Sequence, residues 1–105
     1  MYVIVWEFLP KAGREREFEA AYGPDGDWAR FFGRGPGYLG TELQRDVQHP
    51  RRYLTLDRWE SRKAYEAFRA AHAAAYEALD RRFEALTESE TPLGSFVPAG
   101  GRDAG

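Results

Sequence analysis

The chain of 105 residues contains no cysteine. That excludes a disulfide framework, a zinc ribbon, an iron-sulfur cluster and a thiol nucleophile, and it suits a reducing compartment. Only two histidines occur, His49 and His72, too few for a histidine-rich metal site. Neither sign of charge dominates: 15 Lys and Arg stand against 17 Asp and Glu, a formal net charge of -2. Such a balance offers no electrostatic footprint for a phosphate backbone or an anionic membrane, so neither nucleic acid nor lipid is an expected partner. No apolar run approaches the roughly 18 residues of a membrane span. The N-terminus enters Tyr2 to Phe8 without a basic segment or cleavage site, so a cytoplasmic location is expected. What is abundant is aromatic side chain, 15% of residues within a hydrophobic fraction of 43%. That is enough for one packed core, and the length leaves no room for a second domain.

Tyr2 to Leu9 is β-branched and aromatic and stops at Pro10, which predicts a first strand. Phe18, Ala21 and Tyr22 recur at helical spacing within Arg14 to Tyr22, and Gly23-Pro-Asp-Gly26 ends that helix. Asp27 is placed to cap a short helical turn carrying Trp28, Phe31 and Phe32. Gly33 to Gly37 reads as a loop, Tyr38 to Val47 as a second strand, Gln48 to Arg51 as a turn and Tyr53 to Trp59 as a third strand, so that strands two and three form a hairpin. Ser61 is an expected N-cap. After it Tyr65, Phe68, His72, Tyr76, Leu79, Phe83 and Leu86 recur at steps of three or four. A straight helix over that span would run roughly 40 Å at 1.5 Å per residue. A 100-residue domain is only roughly 26 Å across, so a bend or break is expected near Ala70 to Ala74. Glu90 to Val97 reads as a last strand with Pro92 suited to an edge, closing a domain over residues 1–97. Residues 98–105 read as a disordered tail.

The order is β-α-β followed by β-α-β, an α+β ferredoxin-like arrangement in which right-handed crossovers place the helices on one face of a four-stranded antiparallel sheet. The first strand is nevertheless apolar at both parities, with Val3 and Val5 on one side and Ile4, Trp6 and Phe8 on the other. The simplest cover for the second face is another copy of the chain, a homodimer packed sheet against sheet.

Gly35-Pro-Gly37-Tyr-Leu-Gly40 spells GxGxxG, but it precedes a strand instead of following one, so it reads as a turn and not as a dinucleotide fingerprint. The RNA-recognition motif shares this topology, yet its Lys/Arg-Gly-aromatic run is missing and the charge balance is acidic. Glu15, Glu17 and Glu19 alternate with Arg14 and Arg16 as a charged outer face. His49, before Pro50, belongs to a hairpin tip. His72 lies on the apolar stripe, one turn from both Phe68 and Tyr76 and three residues after Arg69. It suits either a satisfied core position or a cavity, and its ordinary ionisation range makes it the natural candidate base. Trp28, Phe31, Phe32, Tyr38, Trp59 and Tyr76 serve mainly as core, and together they also suit a cavity for a flat, apolar aromatic ligand.

Four segments in order, Pro10-Lys-Ala-Gly-Arg-Glu-Arg-Glu-Phe18, Pro36-Gly-Tyr-Leu-Gly-Thr-Glu-Leu43, Tyr53-Leu-Thr-Leu-Asp-Arg-Trp-Glu-Ser61 and Ala64-Tyr-Glu-Ala-Phe-Arg-Ala-Ala-His72, resemble the antibiotic biosynthesis monooxygenase family. The resemblance implies a ferredoxin-like protomer, a dimeric α+β barrel and a cavity between helices and sheet. It also implies an oxygenase of small aromatic or quinol-like substrates that uses no metal or flavin of its own. His72 would then be the base, Tyr76 and Arg69 its hydrogen-bonding or oxyanion partners, and Trp6, Trp28, Phe32, Trp59 and Phe68 the substrate-binding walls. Two alternatives stand beside it: a non-catalytic dimeric binding or stress-related protein, and haem degradation. In the haem-degrading branch of the family an Asn on the first strand matters for haem, and Trp6 stands at that position here.

Overall fold

The computed structural model describes residues 1–100. Its elements are β1 (Tyr2–Pro10), α1 (Glu15–Tyr22), α2 (Asp27–Phe32), β2 (Tyr38–Arg45), β3 (Tyr53–Trp59), α3 (Arg62–Ala71), α4 (Ala73–Phe83) and β4 (Thr87–Phe96), with one 3-10 turn at Glu84–Leu86 before β4. The strands form one antiparallel sheet in the order β2-β3-β1-β4, the ferredoxin-like arrangement expected.

Register follows from side-chain parity. Tyr2, Ile4, Trp6 and Phe8 of β1 stand opposite Trp59, Asp57, Thr55 and Tyr53 of β3, so these eight residues share the helix-facing side of the sheet. Two aromatic clusters build the core above them. Phe18 stacks on Tyr22 at 4.5 Å and meets Phe8 and Tyr53 at 5.4 and 5.0 Å, anchoring α1. Phe68 meets Phe31 and Trp59 at 5.0 and 5.3 Å, anchoring α2 and α3. Phe18 and Trp59 are both 0% exposed.

The break in the long helical pattern falls at His72, whose φ of -123° and ψ of 29° separate α3 from α4. The amide of His72 still donates to the Phe68 carbonyl at 3.0 Å, and that of Tyr76 to the His72 carbonyl at 2.9 Å, so the chain kinks without leaving either group unpaired. Ser61 caps α3 as expected, its Oγ accepting from the Ala64 amide at 3.1 Å. Asp27 does not cap α2: Gly26 holds that position, and the Asp27 carboxylate pairs with Arg30 at 3.5 Å and with Arg82 of α4 at 3.9 Å. β2 ends two residues short of Val47 because Asp46 Oδ1 accepts from the amides of Gln48 and His49 at 2.8 and 3.2 Å and starts the turn there. β4 begins at Thr87, earlier than Glu90, because Thr87 pairs with Pro10. Of the tail expected at 98–105, residues 101–105 lie outside the described residues.

The sheet's other face carries Val3, Val5, Leu54 and Leu56, all half-buried, with Leu39 and Phe96 at 52% and 53% exposure. The described residues are only 20 Å thick in their shortest dimension, one sheet and one helical layer, and among them no element crosses that face.

Gly35 and Gly37 act as close-approach residues between α2 and β2. A Cβ on Gly35 would sit 2.5 Å from Phe68 Cδ1 and 3.2 Å from Trp59 Cζ3, and Gly37 has a φ of +91°. Gly35→Val should therefore destabilise the fold by about 1–3 kcal/mol in urea unfolding. A change below about 0.5 kcal/mol would show that the loop moves aside freely.

Candidate active site

A cavity of about 290 Å³ lies between the sheet and the helices. The sheet supplies Thr41 from β2, Thr55 and Asp57 from β3, and Trp6 and Phe8 from β1. Tyr22 of α1 and Trp28 and Phe32 of α2 form its aromatic walls. Arg69 of α3, Tyr76 and Asp80 of α4, and Glu90 of β4 close the remaining side. The sequence leaves open whether Leu54 with Leu56 or Thr55 with Trp59 of the third strand faces a cavity; the structure turns Thr55 and Asp57 toward it, on the parity of Trp59.

Asp57 lines this cavity from the middle of the sheet, next to two buried threonines, Thr41 and Thr55. Thr41 Oγ1 donates to Asp57 Oδ1 at 2.6 Å, and the Tyr38 hydroxyl lies 2.5 Å from the same Thr41 oxygen. Thr41 has a single hydroxyl proton, so when Asp57 is ionised the chain runs from Tyr38 to Thr41 to Asp57, each donating to the next. Burial raises the Asp57 pKa from 3.8 to about 6, the Thr41 hydrogen bond pulling the other way.

Arg69 and Tyr76 meet across the cavity's rim. The guanidinium carbon lies 3.7 Å from the centroid of the Tyr76 ring, and Nη1 donates to the Tyr65 hydroxyl at 2.8 Å. Burial pushes the Tyr76 phenol up to about 12 against the opposing charge of Arg69, so it acts as a hydrogen-bond donor and not as a base near neutrality. Burial likewise raises Tyr22, whose hydroxyl approaches Glu90 Oε1 at 3.4 Å. Burial and the neighbouring Asp80 raise Glu90. The indole N–H of Trp28 lies near enough to the Tyr22 hydroxyl to oppose that rise, yet it makes no hydrogen bond among the described residues.

Five of the residues read from sequence meet at this cavity: Trp6, Trp28, Phe32, Arg69 and Tyr76. Three do not line it. Trp59 and Phe68 pack beneath it in the core, and His72 turns its ring onto Phe68, 4.6 Å between centroids, and toward Phe31 at 6.0 Å. Asp57, Thr41, Phe8, Tyr22, Asp80 and Glu90 escaped the sequence reading, in which Thr55 stood as one of two alternatives. Asp57 alone had a signal there, a carboxylate within an aromatic and β-branched strand on the parity of Trp59. Among the described residues no group of three or more His, Asp or Glu is placed to hold a metal, and no helix is long and apolar enough to cross a membrane.

This sheet order, with a cavity between helices and sheet walled by aromatic rings, defines an α+β protein of the ferredoxin-like class. The model of the antibiotic biosynthesis monooxygenase family matches residues 1–78, and the chain belongs to that family. SnoaB from Streptomyces nogalater, a cofactor-independent oxygenase, has a similar structure: the TM-score is 0.75 at 22% identity, over 96% of this chain and 95% of that one. A putative antibiotic biosynthesis monooxygenase from Bordetella bronchiseptica superposes with a TM-score of 0.69 at 22% identity, covering 92% and 95%. Likeness at that identity establishes the fold. MhuD, in a structure of a point mutant with two manganese protoporphyrin IX bound per active site, gives 0.66 at 26% identity over 96% and 100%. No curated protein matches the sequence.

The raised Asp57 has a consequence for stability. The folded chain holds this proton more tightly than the unfolded one, so stability falls as pH rises from about 4 to about 6 and stays lower above that. Asp57→Asn keeps an acceptor for Thr41 and removes the ionisation. It should gain on the order of 2 kcal/mol at pH values above 6 and nothing below the ordinary carboxylate range, measured by urea unfolding at both. An equal gain at both values would show that Asp57 ionises normally.

Proposed function

We propose that the protein is a cofactor-independent oxygenase that oxidises a small aromatic phenol or quinol with dioxygen, with Asp57 as its base. The observation that carries this reading is the Asp57 carboxylate, held at about 6 by burial, facing an aromatic-walled cavity. A base in that range is ionised at neutral pH and still basic enough to take a weakly acidic proton.

The chemistry asks the protein to bind, desolvate and deprotonate. Asp57 takes a proton from a phenol, or from the ring methylene of its keto tautomer, and the delocalised carbanion reduces dioxygen by one electron. The two radicals combine at carbon as a peroxide anion, and protonated Asp57 returns the proton. Loss of water from the hydroperoxide leaves a carbonyl, so that one ring methylene and one dioxygen become one ring carbonyl and one water. Arg69, the Tyr76 hydroxyl and the free N–H of Trp28 are the donors available to the substrate's anionic oxygen. Trp6, Phe8, Trp28 and Phe32 exclude water and hold a flat ring. Thr41 and Tyr38 position Asp57.

The residues around the cavity do not fit haem. No histidine lines it, its Tyr76 phenol stays protonated to about 12, and Asp57, Asp80 and Glu90 would face the propionates.

A second copy of the chain covers the outer sheet face in this reading. Val5 pairs with Leu56 in the middle of that face, so Val5→Asp should convert a dimer into a monomer in sedimentation velocity. A wild-type chain that stays monomeric at every concentration would overturn the dimer.

Oxygen uptake by the metal-stripped protein on a panel of quinols and polycyclic phenols tests the activity. Asp57→Asn should lower kcat by about 100-fold or more, while His72→Ala should stay within about threefold of wild type. Loss of activity in His72→Ala alone would return the base to His72. Binding of these aromatics without any uptake would leave a non-catalytic binding protein.

A further inference from the structure

The charges around the cavity are unequal. Three carboxylates line it against one guanidinium, and none of the three forms an ion pair among the described residues. Asp80 on α4 and Glu90 on β4 are exposed while still lining the cavity, which places them at its mouth, whereas Asp57 sits on the sheet side. Arg69 forms no ion pair with any of them, although the charge of Asp80 reaches it: its guanidinium carbon lies 3.7 Å from the Tyr76 ring centroid and Nη1 donates to the Tyr65 hydroxyl. Burial raises the Glu90 carboxyl above its ordinary range, and the charge of the neighbouring Asp80 adds to the rise. A ligand that brought a positive charge between them would relieve that repulsion, and the aromatic side chains of Tyr22 and Trp28 line the same cavity. A carboxylated ligand would meet the opposite field.

We infer that the cavity selects an aromatic substrate bearing a protonated amino group, with Asp80 and Glu90 at the mouth as its specificity-determining pair. The inference deepens the oxygenase reading by naming the substrate class and rests on it only for calling the ligand a substrate. Both residues lie beyond the stretch 1–78 matched by the family model.

The test is anaerobic binding, followed by quenching of Trp6 and Trp28 fluorescence, of one naphthol skeleton carrying an aminomethyl, a hydroxymethyl or a carboxymethyl group. The aminomethyl compound should bind roughly 10-fold more tightly than the hydroxymethyl one, and the carboxymethyl compound most weakly. In the Asp80→Asn/Glu90→Gln double variant the aminomethyl and hydroxymethyl compounds should come within about twofold of each other. On the wild-type chain, rising salt should narrow the gap in the same direction, a check that needs no variant. The inference is overturned if the carboxymethyl compound binds as well as the aminomethyl one, if the preference survives the double variant, or if none of the three binds. Oxygen plays no part in this measurement. An ammonium preference without oxygen uptake would therefore sink the oxygenase reading alone.

Discussion

Along β3 every second side chain must meet the helices, and the register that buries Tyr53 and Trp59 there also brings in Thr55 and Asp57. A carboxylate at that position cannot be packed over by apolar side chains without losing all its hydration, which would cost several kcal/mol. The structure resolves the conflict by leaving a cavity above it and by lending it the hydroxyl of Thr41. The two aromatic clusters stand to either side of that gap, Phe18 with Tyr22 toward α1 and Phe68 with Phe31 toward α3. The opening, its aromatic walls and the weakened acidity of Asp57 are thus three outcomes of one register.

The kink at His72 completes the arrangement. Arg69 and Tyr76 are seven residues apart, two helical turns, and so share a face across the break. Because the chain bends between them, both reach the rim of a cavity that one straight helix would meet along a single line. The His72 ring meanwhile folds back onto Phe68. Its contribution to the cavity is the change of direction it marks.

Much of this was legible in residue patterns because those patterns are set by packing at a fixed period. The first strand, expected over Tyr2 to Leu9 and found to run one residue further into Pro10, the hairpin of β2 and β3, the Ser61 cap and the break inside the long apolar stripe all follow from local rules that tertiary structure left intact. The site was legible only in part. A stripe such as Phe68, His72 and Tyr76 tells which side of a helix faces the sheet, but not where along the sheet each residue lands. Tyr76 therefore reached the cavity and His72 did not. Asp57 was passed over because a charge within a strand reads as an outward position, and β3 is apolar enough at both parities to leave the choice open. Asp80 and Glu90 reach one cavity only through the tertiary fold, and no spacing in the chain announces that.

The two edges of the sheet are built differently from its middle. β4 carries Pro92, which has no amide proton to offer, together with register shifts opposite Val5/Trp6 and Leu9/Pro10. β2, at the other edge, has an irregularity at Tyr38/Gly40 and exposes Glu42, Gln44 and Arg45. A strand that is interrupted or charged along its free side is a poor template for a further strand. Despite an aromatic-rich composition, the chain is thereby guarded against growing sideways into fibrils through its own backbone.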